Sequence, residues 1–154
     1  MGSGGAFVMK SSTVSPTQVM KSVKTIAVVG ASKNVEKEAN SVPAFLKEHG
    51  YHIVPVNPTA SEVLGERAFP NLLGLPTDVA SRVDVVEVFR PSDELPDVAR
   101  QVVELSRRTG KRYVFWAQSG LENEDAKRIL DEAAIPYVMN ACMRVVYGMA
   151  SYSR

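Results

Sequence analysis

Hydrophobic positions in this chain follow two rhythms that alternate from end to end. Thr25-Ile26-Ala27-Val28-Val29 is a continuous apolar run stopped by Gly30, the pattern of a strand covered on both faces. From Val42 to His49 the apolar positions Val42, Phe45 and Leu46 fall on one side of a helix, which Gly50 closes. His52-Ile53-Val54-Pro55-Val56 reads as a second strand, halted by Asn57-Pro58, with Pro55 placed where no ladder N–H is needed. Val83-Asp84-Val85-Val86-Glu87-Val88-Phe89 is a third, ending at Arg90-Pro91. Ser92 then reads as the N-cap of a long helix with Asp93 and Glu94 in its first turn and Thr109-Gly110 at its end. Tyr113-Val114-Phe115-Trp116 is a fourth strand, Glu122 to Ala134 a helix, Pro136-Tyr137-Val138-Met139 a fifth strand, and Cys142 to Gly148 a short terminal helix.

Strands that alternate with helices imply βαβ crossovers and a parallel sheet. The expected fold is α/β, a three-layer Rossmann-like arrangement with a five-stranded or slightly larger parallel sheet. The Gly/Ser-flavoured residues 1–14 are set aside as a flexible tail, leaving residues 15–154 as one domain. Open sheets of this kind bind ligands beyond the carboxyl ends of their strands. The residues to inspect are therefore Gly30-Ala31-Ser32, Asn57-Pro58, Arg90-Pro91, Gln118-Ser119-Gly120 and Asn140-Ala141-Cys142.

Composition narrows the chemistry. With 154 residues, 45% of them hydrophobic and 23% charged, the chain is an ordinary globular one. Its 18 basic and 17 acidic residues leave a net charge of +1, without the basic excess of a nucleic-acid binder. No apolar run approaches a membrane span, and no secretory signal opens the chain. The one cysteine forms no internal disulfide and fits a reducing, cytoplasmic compartment.

A helix N-terminus binds anions through its free N–H groups and dipole. The helices after the third and fourth strands carry acids in their first turns. The one after the first strand, expected to begin near Asn40-Ser41-Val42-Pro43, has none there and is open to a phosphate. Gly30 lets backbone approach a ligand; Ser32, Asn40 and Ser41 supply hydrogen bonds, and Lys33 and Lys37 supply charge. Glu36 and Glu38 oppose this reading. On it, Gly30→Val blocks the ligand while leaving the sheet folded. A dinucleotide fingerprint needs further glycines and an acid about 20 residues on. Asn57-Pro58 stands where that acid belongs, which disfavours NAD, and no arginine follows for NADP.

Ile26-Ala27-Val28-Val29-Gly30-Ala31-Ser32 and Gly50-Tyr51-His52-Ile53-Val54-Pro55-Val56-Asn57-Pro58, taken with Val63-Leu64-Gly65, Val83-Asp84-Val85-Val86, Phe89-Arg90, Trp116-Ala117-Gln118-Ser119-Gly120 and Asn140-Ala141-Cys142, resemble the small stand-alone coenzyme A-binding proteins. These in turn are similar to the CoA-binding N-terminal domain of the succinyl-CoA synthetase α subunit. The resemblance covers residues 22–148. It implies a CoA or acyl-CoA ligand. The Gly30 loop and Ser32 would hold the pyrophosphate, with Asn40 and Ser41 entering the helix beside it, and Asn57-Pro58 would lie near the adenosine ribose. Phe89-Arg90-Pro91 and Gln118-Ser119-Gly120 would line the groove. Relatives commonly carry a lysine after the Asn-Pro pair, suited to the ribose 3′-phosphate. Here Thr59 stands there, and Lys33 or Lys37 would have to substitute. The synthetase's phosphohistidine chemistry does not carry over: His49 and His52 flank the helix end and the start of the second strand, away from the ligand edge.

No acid–base pair, Ser/His/Asp set or metal cluster stands out, so the residues read as a binding module. The alternatives are an enzyme acting on an acyl-CoA or nucleotide, using Cys142, Arg90 or Gln118, and a nicotinamide-binding regulator. Cys142 reads as a small buried residue, Phe115 and Trp116 as core, and Glu122 to Asp125 as a helix start rather than a metal site. Met139, Met143 and Met149 crowd the C-terminus, where an apolar surface would suit a partner chain. A two-fold dimer is the default if the chain associates.

Overall fold

The structure, a computed structural model, describes residues 13–152. The expected tail falls outside the described residues as far as residue 12. Thr13 forms a parallel bridge to Tyr137. The elements run α1 (Pro16–Ser22), β1 (Thr25–Val29), α2 (Glu38–Glu48), β2 (His52–Val56), a two-residue-per-strand hairpin β3 (Glu62–Val63) and β4 (Glu66–Arg67), α3 (Thr77–Ala80), β5 (Val85–Val88), α4 (Leu95–Thr109), β6 (Val114–Ala117), α5 (Glu124–Glu132), β7 (Tyr137–Val138) and α6 (Met143–Tyr152). Strands β2-β1-β5-β6-β7, all parallel, form one five-stranded sheet. The three-layer α/β expectation holds.

Alternation along the strands divides the core. Ala27, Val86, Val88, Phe115 and Ala117 face α3, α4 and α5, whereas Ile26, Val28, Val85 and Trp116 face α1, α2 and α6. Trp116 is fully buried and donates its ring N–H to the Ala141 carbonyl at 2.8 Å. Among the described residues no helix is long and apolar enough to cross a membrane.

Three features went unforeseen. Helix α1, the hairpin and α3 are short and lack a periodic apolar stripe. Helix α2 begins at Glu38, so Pro43 stands inside it and Glu38 is an acid in its first turn. The expected acid-free start near Asn40 is therefore wrong. Pro43 is tolerated for a visible reason. Lacking an N–H, it leaves the Ala39 carbonyl without its helical donor, and the Ser32 N–H fills that place at 3.2 Å. Finally, Ser92 opens a 3-10 turn (Ser92–Glu94) and is not the cap of α4; its hydroxyl accepts from the Glu122 N–H at 3.1 Å.

Pro55 sits as expected. His52 donates toward β1, to the Lys24 carbonyl, so Ile53, Pro55 and Asn57 face the open side of β2. There the Pro55 carbonyl and the Asn57 N–H pair with Phe69, and the missing proline N–H costs no ladder bond.

Asp84 fastens the start of β5. Its carboxylate accepts the N–H groups of Lys24 (2.8 Å) and Thr25 (3.0 Å) and meets Lys111 Nζ at 3.1 Å. Burial pulls its pKa up, but these three donors outweigh burial and hold the carboxyl below its ordinary 3.8. The stabilisation is thus present at neutral pH and is lost as pH falls through the lowered value. Asp84→Ala should lower stability by about 1–3 kcal/mol in denaturant unfolding at pH 7, with a smaller deficit at pH 3.

Candidate functional site

The carboxyl ends of β1, β2 and β5 meet two adjoining clefts. The first, about 330 Å³, is lined by Gly30, Ala31, Ser32, Lys37, Ala39, Asn57, Pro58, Thr59, Phe89 and Arg90. The second, about 230 Å³, shares Gly30, Pro58 and Arg90 with it and adds Val29, Val56, Pro70, Asn71, Leu72, Glu94, Asp97, Val98 and Gln101. Small residues, hydroxyls and two cations dominate the first; apolar walls with an acid and amide rim make the second.

The loops at this edge are fastened by local contacts. Gly30 adopts φ +86°, and its N–H reaches the Val56 carbonyl at 3.1 Å. A Cβ there would stand 3.0 Å from the Phe89 carbonyl oxygen and 3.1 Å from Arg90 Cδ. Glycine is needed because β5's continuation passes so close, not only to admit a ligand. The expectation that Gly30→Val leaves the sheet undisturbed is corrected accordingly. Ser32 Oγ accepts the Asn34 N–H at 3.0 Å and keeps its own proton to donate. Asn57 ties β2 to the Gly30 loop: its Nδ2 donates to the Ala31 carbonyl at 2.8 Å, and its Oδ1 accepts the N–H groups of Thr59 and Ala60, both at 2.8 Å. Arg90 donates through Nε to Glu94 Oε1 at 2.9 Å, and its Nη2 stands 2.8 Å from the same oxygen as an ion pair.

Of the residues singled out in the sequence, Gly30, Ala31, Ser32, Lys37, Asn57, Pro58, Phe89 and Arg90 therefore come together. Lys33 and Asn40 instead border a recess on the other side of the loop, beside Glu62, Val63, Leu64 and Gly65. Asn40 is buried, with its Nδ2 donating to the Ser32 carbonyl at 2.8 Å; it shapes the loop from behind. Ser41 lies in the first turns of α2 and borders neither cleft. Pro91 precedes the 3-10 turn.

Gln118, Ser119, Gly120 and Asn140 form a separate group at the ends of β6 and β7. Asn140 Oδ1 accepts the Gly120 N–H at 2.6 Å, and Gln118 Oε1 accepts the Met143 N–H at the start of α6 at 3.0 Å. Cys142 is half-buried beside them. Among the described residues no cluster suits a metal ion. Glu122 and Glu124 pair with Lys127, and Asp125 with Arg128, as a helix start would.

Two things escaped the sequence reading. The second cleft's outer wall, Pro70 to Leu72, comes from a loop with no periodicity. Glu87, on the central strand, is fully buried with neither carboxyl oxygen hydrogen-bonded, and burial pushes its pKa up to about 8. Gln118 Nε2 is likewise buried without a partner. Glu87 had looked like an unremarkable member of a strand; Gln118 had been singled out for the ligand groove, and what the sequence did not show is its buried amide.

Comparison with known proteins adds the following. The CoA binding domain family matches residues 24–148. The uncharacterised protein YneT of Bacillus subtilis is 36% identical over 132 residues, which is 86% of this chain and 91% of YneT. An ADP-forming acetate–CoA ligase, form II, of Archaeoglobus fulgidus is 31% identical over 68% of this chain, but that stretch is only 15% of the ligase. Among solved structures, a hypothetical protein from Pyrococcus horikoshii OT3 superposes with a TM-score of 0.78 at 31% identity, over 91% of this chain and 94% of its own. The protein cell-free ID.343 from Thermus thermophilus gives 0.76 at 35% identity, over 89% and 99%. A Rossmann-fold NAD(P)-binding family protein from Shigella flexneri, at 15% identity and a TM-score of 0.51 over 76% and 66%, shares the fold alone.

Proposed function

The chain belongs to the CoA binding domain family, and from that premise we propose that it binds coenzyme A or an acyl-CoA along the carboxyl edge of the sheet, as a binding module. The first cleft is assigned to the pyrophosphate. Gly30, Ala31 and Ser32 bring backbone and a hydroxyl to it, and Lys37 and Arg90 bring charge. The second cleft is assigned to the adenosine: its apolar walls suit a flat base, and Glu94, Asp97 and Gln101 suit hydroxyl and amino donors. The observation that carries this reading is the shared boundary of the two clefts at Gly30, Pro58 and Arg90, which joins a cationic and an apolar compartment as a nucleotide diphosphate requires.

The position after β2 supports CoA over a nicotinamide cofactor. Asn57 is neutral and its Oδ1 is engaged by two N–H groups, so no carboxylate stands there to take the paired ribose hydroxyls of NAD or to repel the ribose phosphate of CoA. Gln118, Ser119, Gly120 and Asn140 are assigned to the far end of the groove, where the pantetheine arm would run. The binding unit is taken as residues 15–154. A cytoplasmic setting suits both the ligand and the free Cys142.

Thermal unfolding with and without CoA, dephospho-CoA, ADP, NAD and NADP tests the proposal. A ligand at a hundred times its Kd adds about 2.7 kcal/mol to stability. CoA should raise the midpoint by several degrees. A smaller rise with dephospho-CoA would show that Lys37 or another cation grips the 3′-phosphate despite Thr59. A rise with NAD or NADP alone, or with none of the five, overturns the assignment.

A further inference from the structure

The two clefts share one long cation, and a carboxylate already holds it. The stem of Arg90 lies across the Gly30 loop, with Cδ 3.1 Å from where a Cβ on Gly30 would stand. From there the residue borders both compartments, whereas Glu94 borders only the second. Two of its nitrogens lie against a single oxygen, Glu94 Oε1: Nε donates to it at 2.9 Å and Nη2 pairs with it at 2.8 Å. Lys37 is the other cation lining the first cleft.

We propose that Glu94 is a built-in competitor for Arg90: it draws the guanidinium over the second cleft and yields it to a pyrophosphate in the first, so that Glu94 sets how tightly the site holds its ligand. This rests on the CoA reading above. The exchange costs little. Both side chains of the pair are 45% exposed, and ion pairs so exposed contribute little to stability. A pyrophosphate offers more charge and more acceptors than one carboxylate oxygen. Glu94 is not stranded by the loss, because it stands at the N-terminal end of α4, where the helix dipole favours a negative charge, and it stays in contact with water. The swing itself is a rotation of the arginine about its stem beside Gly30, with no change in the sheet. Glu94 is thus a positioning residue that acts through Arg90.

The test is calorimetric titration of the full chain with CoA and, separately, inorganic pyrophosphate, using wild type, Glu94→Gln, Arg90→Gln and the double variant. Thermal unfolding of each variant checks that it is folded. Relief of an exposed ion pair corresponds to roughly two- to fivefold, so Glu94→Gln should bind CoA and pyrophosphate tighter by that factor. Arg90→Gln should bind about tenfold weaker, and adding Glu94→Gln to it should gain nothing. Unchanged affinity in Glu94→Gln overturns the proposal. So does an equal gain in the Arg90→Gln background, which would mean that Glu94 acts only by general repulsion. If wild type binds pyrophosphate but not CoA, the CoA reading falls while the pyrophosphate series still decides the role of Glu94. If it binds neither, both fall.

Discussion

Glu87→Gln should abolish a decline in stability that the wild-type protein shows between about pH 5 and pH 8. Glu87 lies on β5 between Val28 of β1 and Trp116 of β6, in the middle of the sheet. Its neighbours Val86 and Val88 face the α4 side, so its carboxyl points to the side covered by α1, α2 and α6, with no hydrogen-bond partner. Burial raises its pKa from 4.5 to about 8. In the unfolded chain the group ionises near 4.5; in the folded chain it stays protonated until about pH 8. Across that window the folded state binds the extra proton, so stability falls as pH rises, by about 1.4 kcal/mol per pH unit. Below it both states are protonated and the penalty vanishes. Gln keeps the shape and polarity and cannot ionise. At pH 7 the variant should therefore be more stable by about 3 kcal/mol, a large fraction of a domain's total. At pH 4.5 the two proteins should be nearly equal. Urea unfolding at half-unit pH steps measures this. A wild-type midpoint that stays flat from pH 5 to 8 would show that Glu87 has a charged or hydrogen-bonded partner in solution.

Gly30→Val should be the most damaging single change at the ligand edge. A non-glycine residue at φ +86° pays roughly 1–2 kcal/mol for the left-handed conformation, and a β-branched one pays more. The new Cβ would also press on the Phe89 carbonyl at 3.0 Å, a backbone atom fixed by the Phe89 N–H bond to Val29. About 3 kcal/mol of lost stability is expected, with Gly30→Ala losing about half of that. Both displace Arg90, whose Cδ is the next atom met, so binding of CoA should weaken even in folded Gly30→Ala. Denaturant unfolding and titration of the alanine variant separate the two effects. Wild-type stability in Gly30→Val would mean that the β1 loop relaxes away from β5.

The five sheet strands were legible because each is a short apolar run closed by Gly, Pro or Asn. The ends of α4 were set by features that differ in visibility. Gly110, at φ +75°, terminates it as glycine signals do, but its beginning was misplaced because Ser92 caps nothing and the acids after it form a 3-10 turn. The start of α2 was obscured by Pro43, which reads as an early helix position unless one knows that Ser32 donates to the carbonyl the proline leaves bare. At the site, residues that directly follow strands were found: Gly30, Asn57, Pro58 and Arg90. Residues brought in from elsewhere were not: Asn71 from an aperiodic loop and Gln101 from two turns inside α4. Asn40 was read as a ligand donor, but a buried amide beside a loop carbonyl is engaged by the fold itself. Glu87 was overlooked because a lone acid in an apolar strand reveals nothing about how deep that strand lies.

Pro55 has a consequence for assembly. The outward side of β2 offers little to a new strand: Pro55 has no N–H, and Phe69 occupies the Pro55 carbonyl and the Asn57 N–H. At the opposite margin β7 is two residues long, and Thr13 already bridges Tyr137. A second molecule arriving edge-on would have to displace one of these segments before any inter-chain ladder formed, which protects the protein against runaway sheet stacking. Self-association, where it occurs, is steered to the helical faces. There Val145, Met149 and Tyr152 are exposed at helical spacing along α6.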